Sequence, residues 1–438
     1  MSPQRVVAAL IAVLTAVAPA FCQTVALVET PSTGDCSRCT LELTVSGNLL
    51  VTQDGGQKPI KLEARARHLF VDRVLAVADG LPSRSARYYG EATTSAVAGG
   101  ERSDHMLPAD RRLIVACRST EGLTCFSPAG PLTRDELDLV SEHFDPQCLP
   151  GLLPGKGASV GDTWAVSNPA AQAAGLFDGL IKNNLTGKLT AVQDGVATFT
   201  IEGTAEGIEN GAKVVLTVAA TGKFDPESKR VVALDWKQTD DRQQGPVNPA
   251  SKIEARVVLK REWLAAEPKE LAGAAGLPSE PTAALTHLRY TDPKDRYHFI
   301  YPRDWHITGQ TDVHLVLRLL DRGEFIAQAT VTGWNKLDPG RHATPEEFKK
   351  AVGESRGWVA GQVLGDGEIP TDGGRWLYRL TAEGLMDQTP VVQGFHLLAG
   401  PQGHQVVVTF AMKPEKVKRV GTRDLGLVNA IELGGEKK

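Results

Sequence analysis

"YHFIYPRDWHI", Tyr297–Ile307, holds four aromatic residues, two histidines, an arginine and an aspartate in eleven positions. Its odd positions are Tyr297, Phe299, Tyr301, Arg303, Trp305 and Ile307. Side chains two apart leave a strand on the same face, and bulky aromatic or aliphatic groups at that period mark a buried one. The stretch therefore predicts a strand that continues past a turn at Pro302, with Phe299, Tyr301 and Trp305 in the core. His298 and His306 fall on the opposite parity and are expected to point to solvent or to a flanking helix.

Around this stretch the pattern stays regular. "HLVLRLLD" and "FIAQATVTGW" follow as strands, and "TPEEFKKAVGES" opens a helix with Thr344 as cap, Pro345 in the first turn and Glu347 closing a capping box. "RWLYRLTAEG", "TPVVQGFHLLAG" and "HQVVVTFAM" read as an antiparallel meander. The end, "KPEKVKRVGTRDLGLVNAIEL", reads as a helix or a pair broken at Gly421. The order of a Phe299, Tyr301, Pro302, Trp305 strand, two strands, a P-E-E-F helix, a meander and a closing helix resembles the PsbP-like fold. That resemblance covers about residues 286–434. It implies an antiparallel sheet flanked by helices and carries over no active-site motif.

Upstream, "LAAEPKELAGAAGLPSEPTAAL", residues 264–285, is rich in Ala, Pro, Gly and Glu and reads as a linker. Residues 24–263 before it are mostly alternating strands broken by D-G, N-G and D-P turns. Two helices are expected among them. One is capped by Thr133 with Glu136; the other starts at Asn168 and Pro169, with Leu176 and Leu180 facing inward. "LPGLLPGKGASVGDTW" is similar to a recurrent V-G-D-x-W segment of exported bacterial proteins, with Trp164 as the core plug it implies. The fold class expected is α+β: a strongly curved, half-barrel-like antiparallel sheet with inserted helices, then the PsbP-like domain. The curved sheet also resembles lipoprotein-carrier half-barrels.

The formal net charge of −4 over 438 residues gives no basis for nucleic-acid binding. Residues 1–22 have the pattern of a secretory signal: Arg5, an apolar run from Val6 to Val17, then Ala18 and Ala20. Cleavage is expected after Ala20 or after Cys22, with lipid attachment at Cys22 as a weaker option. No later run is long and apolar enough for a spanning helix. The mature chain is thus expected to be secreted or periplasmic, without a transmembrane segment.

All six cysteines lie within the first 148 residues of the chain. Cys36 and Cys39 form a C-x-x-C, but a strand pattern follows where a thioredoxin-type site needs a helix start. A structural disulfide or spare thiols are expected there. Cys117 and Cys125 flank a hairpin loop and could pair across it if their Cβ atoms face each other. Neither these cysteines nor the evenly spaced His298, His306 and His314 make a zinc-ligand spacing. No catalytic, metal or cofactor residue is assigned. The function expected is a non-catalytic binding or scaffold protein of the cell envelope, with an envelope protein or a lipid as partner. The alternatives are a lipid or lipoprotein carrier using the curved sheet, and a thiol-redox protein using Cys36 and Cys39.

Overall fold

A computed structural model describes residues 24–53, 56–141, 144–278, 280–355 and 357–434. The signal-like segment and Cys22 lie outside the described residues. Nearly all strand pairing is antiparallel, in four sheets, and none closes into a barrel.

The largest sheet has 13 strands. Its centre is the long strand Cys36–Gln53, which pairs with Gly56–Ala78 on one side and with Ala250–Leu264 on the other. One meander runs outward through Leu81–Ala98, Leu113–Ser119 and Gly122–Phe126. A second runs back from Thr186–Gln193 through Val196–Glu209, Ala212–Asp225 and Arg230–Arg242 to Ala250–Leu264. The expected turn chemistry is present. Asp79-Gly80, Asp194-Gly195 and Asn210-Gly211 all have positive φ at both positions, as a two-residue hairpin matched to strand twist requires.

One face of this sheet is apolar: Leu41, Leu43, Phe199, Leu216, Trp236 and Val257 share a core. The residues between the meanders cover it. The 3-10 segment Pro146–Leu152 and the helix Asn168–Ala174 contribute Leu149, Leu152, Ala170 and Ala174 to that core. Phe144 packs on Trp236 at 5.6 Å between ring centroids. Trp164 is buried and its Nε1 donates to Leu152 O at 2.9 Å. The cover is built in: a Cβ on Gly187 would lie 2.2 Å from the Trp164 indole, and one on Gly207 would lie 2.2 Å from the Phe177 ring. The open apolar concavity expected of a half-barrel is therefore filled by the chain itself.

The helix details differ in part from the sequence reading. Helix Arg134–Ser141 has the expected box, Thr133 N donating to Glu136 Oε2 at 2.9 Å and Glu136 N to Thr133 Oγ1 at 3.1 Å. The second helix is capped by Ser167, not Asn168, and stops at Ala174. Leu176 then takes φ 53, so Phe177 rather than Leu176 turns into the core. Its shortness has a simple cause: after the cap at Gly175, Leu176 leaves helical geometry and the chain returns to the sheet edge at Gly179–Asn183.

The opening stretch serves two sheets. Tyr297–Tyr301 is the middle of a three-stranded sheet with Leu288–Thr291 and Ile431–Leu433. Trp305–Gln310 is an edge of a seven-stranded sheet that continues through His314–Asp321, Glu324–Gly333, Gln405–Met412, Thr389–Ala399 and Trp376–Met386 to Trp358–Ile369. Phe299, Tyr301 and Trp305 are all buried, and Trp305 meets Phe410 edge-on at 5.9 Å. Helix Pro345–Gly353 has the full Thr344/Glu347 box. The closing segment is a broken pair, Val417–Val420 and Arg423–Asn429, with Gly421 at φ 59 between them.

Residues 264–285 hold two single 3-10 turns and a short helix start, and Leu271 and Ala274 are buried against Leu75 and Ala86. The two halves also meet directly. One core joins Leu107, Ile114 and Leu137 to Leu288, Tyr301 and Trp305. Leu132 bridges Leu288, and Arg289 N donates to Leu132 O at 2.8 Å. At a second point two hairpin tips touch: a Cβ on Gly211 would lie 2.0 Å from Gly323 O.

Candidate functional site

Where the halves diverge between these two contacts, they leave a cleft of about 1040 Å³. Three walls form it. Helix Arg134–Ser141 supplies Arg134 and Asp138; the large sheet and the turn leading into its edge strand supply Glu209, Arg242 and Asp178; the C-terminal half supplies Arg289, Arg303 and His306. The sheet carries polarity into it along one face. Trp236 Nε1 donates to Gln238 Oε1 at 2.6 Å, and Gln238 Nε2 donates to Asp240 at 3.1 Å, so an apolar strand face becomes polar as it reaches the opening.

Most charges in the cleft are matched. Arg134 pairs with Asp138 at 2.8 Å, Arg289 with Glu136 at 2.8 Å, and Arg242 with Glu209. Arg303 differs. Its Nε donates to Thr286 O and its Nη2 to Cys125 O at 2.6 Å, and among the described residues no carboxylate lies in ion-pair range of it. Burial lowers its pKa. His306 is half-buried, and burial with the nearby Arg134 cation pushes it down to about 4, so it is neutral at pH 7. Beside Gly122, near the start of the strand whose Cys125 carbonyl holds Arg303, Asp178 is exposed to the cleft and accepts from Asn210 N at 2.7 Å. Desolvation raises its pKa against the pull of that amide and Arg242. The arrangement suits recognition of charged groups. The hydroxyls on the helix wall are already used: Thr133 caps the helix and Ser141 Oγ donates to Leu137 O at 2.7 Å.

A second depression, about 1000 Å³, lies on the large sheet's polar face, floored by residues such as Thr44, Thr217 and Thr239. Its three arginines, Arg65, Arg102 and Arg256, are all exposed, and the last two are paired with Asp104 and Asp235. It therefore offers little desolvated charge.

The described cysteines are not paired with one another. Cys36, Cys39, Cys117, Cys125 and Cys148 are free. Cys36 and Cys39 sit three apart on one strand and so point to opposite faces. Cys117 stands opposite Thr124, and Cys125 opposite Ala116, so those two thiols also leave opposite faces. Burial pushes Cys39 and Cys125 up to about 11 and raises Cys36, Cys117 and Cys148 as well. Thiols held protonated in this way are poor nucleophiles. His298 pairs with Glu432 at 2.9 Å and His314 with Thr332 at 2.9 Å, so these two do not converge with His306. Among the described residues no three His, Cys, Asp or Glu side chains gather as a metal site.

Sequence reasoning missed an internal ion network under the 3-10 segment. Asp145 is fully buried and receives Arg87 Nη2 at 2.9 Å, Arg118 Nε at 2.8 Å and Gln147 N at 3.1 Å. Burial opposes its ionisation, but the two guanidiniums and the amide prevail and hold its carboxyl below the usual range. Arg87 also reaches Asp72 at 3.1 Å. The network pins the cover onto the sheet. It gave no sequence signal because its members come from four separate elements. Arg303 did leave a trace: it is the one charged residue at an odd position of the opening stretch.

No family model matches this chain, and no curated protein matches it. Among solved structures it is similar to cyanobacterial PsbP from Synechocystis sp. PCC 6803, at 17% identity and TM-score 0.26, over 36% of this chain and 96% of that one. It is also similar to the Ran-binding protein Mog1p from Saccharomyces cerevisiae, at 13% identity and TM-score 0.25, over 34% of this chain and 95% of that one. A lipovitellin structure aligns with 59% of this chain and 27% of its own, at 10% identity and TM-score 0.28. No helix among the described residues is long and apolar enough to cross a membrane.

Proposed function

We propose that this chain is an exported, non-catalytic binding protein of the cell envelope, and that its ligand enters the cleft between the two halves. The observation that carries the reading is the cleft itself. It has the volume of a small-molecule site, and it holds charged groups that the protein has partly desolvated without fully matching them. The signal-like pattern of Arg5, Val6–Val17, Ala18 and Ala20 supports export. The lipid-carrier alternative needs an open apolar surface on the curved sheet, where Leu149, Leu152 and Phe177 now lie. The redox alternative needs an activated thiolate, whereas burial disfavours ionisation of Cys36 and Cys39.

Thr291 is exposed on the cleft wall, so Thr291→Trp narrows the opening without disturbing the core. Ligand-observed NMR with a panel of small polar metabolites should find binders of the wild-type chain that Thr291→Trp loses. Identical profiles for the two proteins sink the cleft reading. Expression of the whole chain in a bacterial host, followed by fractionation and mass spectrometry, checks export. An unprocessed cytoplasmic product rules it out, and added acyl mass on Cys22 reveals a lipid anchor.

A further inference from the structure

We infer that the ligand of this cleft is a short zwitterionic peptide, with its carboxylate on Arg303 and its ammonium on Asp178. The inference rests on the binding reading above and adds the chemistry of the ligand.

Arg303 carries the first part. A guanidinium has five N–H donors in a rigid fork. Two of Arg303's donors go to neutral carbonyls, Thr286 O and Cys125 O, which orient the group without cancelling its charge. Arg134, Arg242 and Arg289 in the same cleft each have a carboxylate. Asp138 acts on Arg303 only from beyond ion-pair range, and a desolvated cation without a direct ion-pair partner is costly; a carboxylate arriving with the ligand lowers that cost while forming charge-assisted hydrogen bonds. Close by, the Tyr301 hydroxyl is fully buried with no hydrogen-bond partner, a second unspent polar group near the same Arg134 and Asp138 charges.

Asp178 carries the second part. It sits beside Gly122, on the same strand as the Cys125 carbonyl that holds Arg303, and the nearby cation, Arg242, is already engaged by Glu209. Its carboxylate therefore remains available to an ammonium.

The whole cleft then selects against simpler ligands. Six carboxylates and four arginines line it, so its formal charge is negative and a plain anion is repelled before it reaches Arg303. A molecule with both signs meets a complement for each. The volume, about 1040 Å³, is at the upper end for a small-molecule site and exceeds what one amino acid fills.

Calorimetry with four probes tests this: tetraglycine, its C-terminal amide, its N-acetyl form, and glycerophosphoethanolamine as a zwitterion whose anion is a phosphate. Tetraglycine should bind the wild-type chain, and each blocked form should bind about tenfold more weakly or worse, the loss of one charge-assisted contact. Asp178→Asn should abolish the preference for free over N-acetyl peptide and keep the preference over the amide. Arg303→Gln, which removes the cation, should do the reverse. If Arg303→Gln does not fold, the blocked peptides and Asp178→Asn still decide. Equal binding of the amide and the free peptide overturns the inference, as does tighter binding of glycerophosphoethanolamine. If none of the four binds while other compounds remain sensitive to Thr291→Trp, the peptide inference is wrong and the cleft reading stands. If nothing is sensitive to Thr291→Trp, the cleft reading itself has failed.

Discussion

Trp305 and His306 are neighbours with opposite environments, and each supports a different prediction. Trp305 is fully enclosed by the shared core. Trp305→Ala should cost about 3–5 kcal/mol, the usual result of deleting a large buried aromatic, and chemical denaturation will measure it. His306 sits half-desolvated beside Arg134, with its pKa pushed down to about 4. A histidine less basic when folded than unfolded stabilises nothing above its unfolded pKa of about 6.5 and costs stability as pH falls towards 4. Between pH 7 and pH 5 the wild-type chain should therefore lose about 1–2 kcal/mol more stability than His306→Gln. Parallel slopes in the two proteins would show that the ring is solvated. Asp145 belongs to the interior network. Asp145→Ala leaves Arg118 without its carboxylate and Arg87 with Asp72 alone, and should destabilise by about 3–5 kcal/mol, read from the shift of the urea midpoint.

Among elements, the informative comparison is between two turns. Gly161 has φ +97 with open space around the missing Cβ, whereas Gly211 has φ +78 with Gly323 O where its Cβ would go. Alanine at either position meets backbone strain of about 1–3 kcal/mol. Gly211→Ala must in addition push the two tips apart. It should therefore cost clearly more than Gly161→Ala, and hydrogen exchange should rise around residues 318–325 in that variant alone. Equal costs and unchanged exchange would mean that the tips merely graze. The other decisive element is the 3-10 segment Pro146–Leu152. Its proline-rich sequence looks like a loop, but Leu149 and Leu152 in it are fully buried. Aperiodic segments give no hydrophobic period, so no sequence pattern reveals which surface they cover.

In the whole molecule, the composition of residues 264–285 suggests two independent folding units joined by a mobile connector. The shared core argues for coupling instead. Leu288 and Trp305 pack in the same cluster as Ile114 and Leu137, and Leu271 and Ala274 are anchored on the large sheet. The intact chain should melt in one calorimetric transition, and Trp305→Ala should lower it as a unit. Two separated transitions, with early proteolytic cuts in 264–285, would restore the two-unit picture. Much of the architecture was legible in the chain. Period-two alternation marked the strands, Asp-Gly and Asn-Gly marked their turns, and Thr133/Glu136 and Thr344/Glu347 marked helix starts, because each depends on residues a few positions apart. The burial of Phe299, Tyr301 and Trp305 followed from parity in the same way. The covered concavity, the opposed cysteines, the Arg87–Asp145–Arg118 network and the cleft could not be read so. Each depends on strand register and on segments tens to hundreds of residues apart. Arg303 and Asp178 acquire their meaning from what surrounds them in space: two carbonyls and a missing counter-ion in one case, an already occupied arginine in the other.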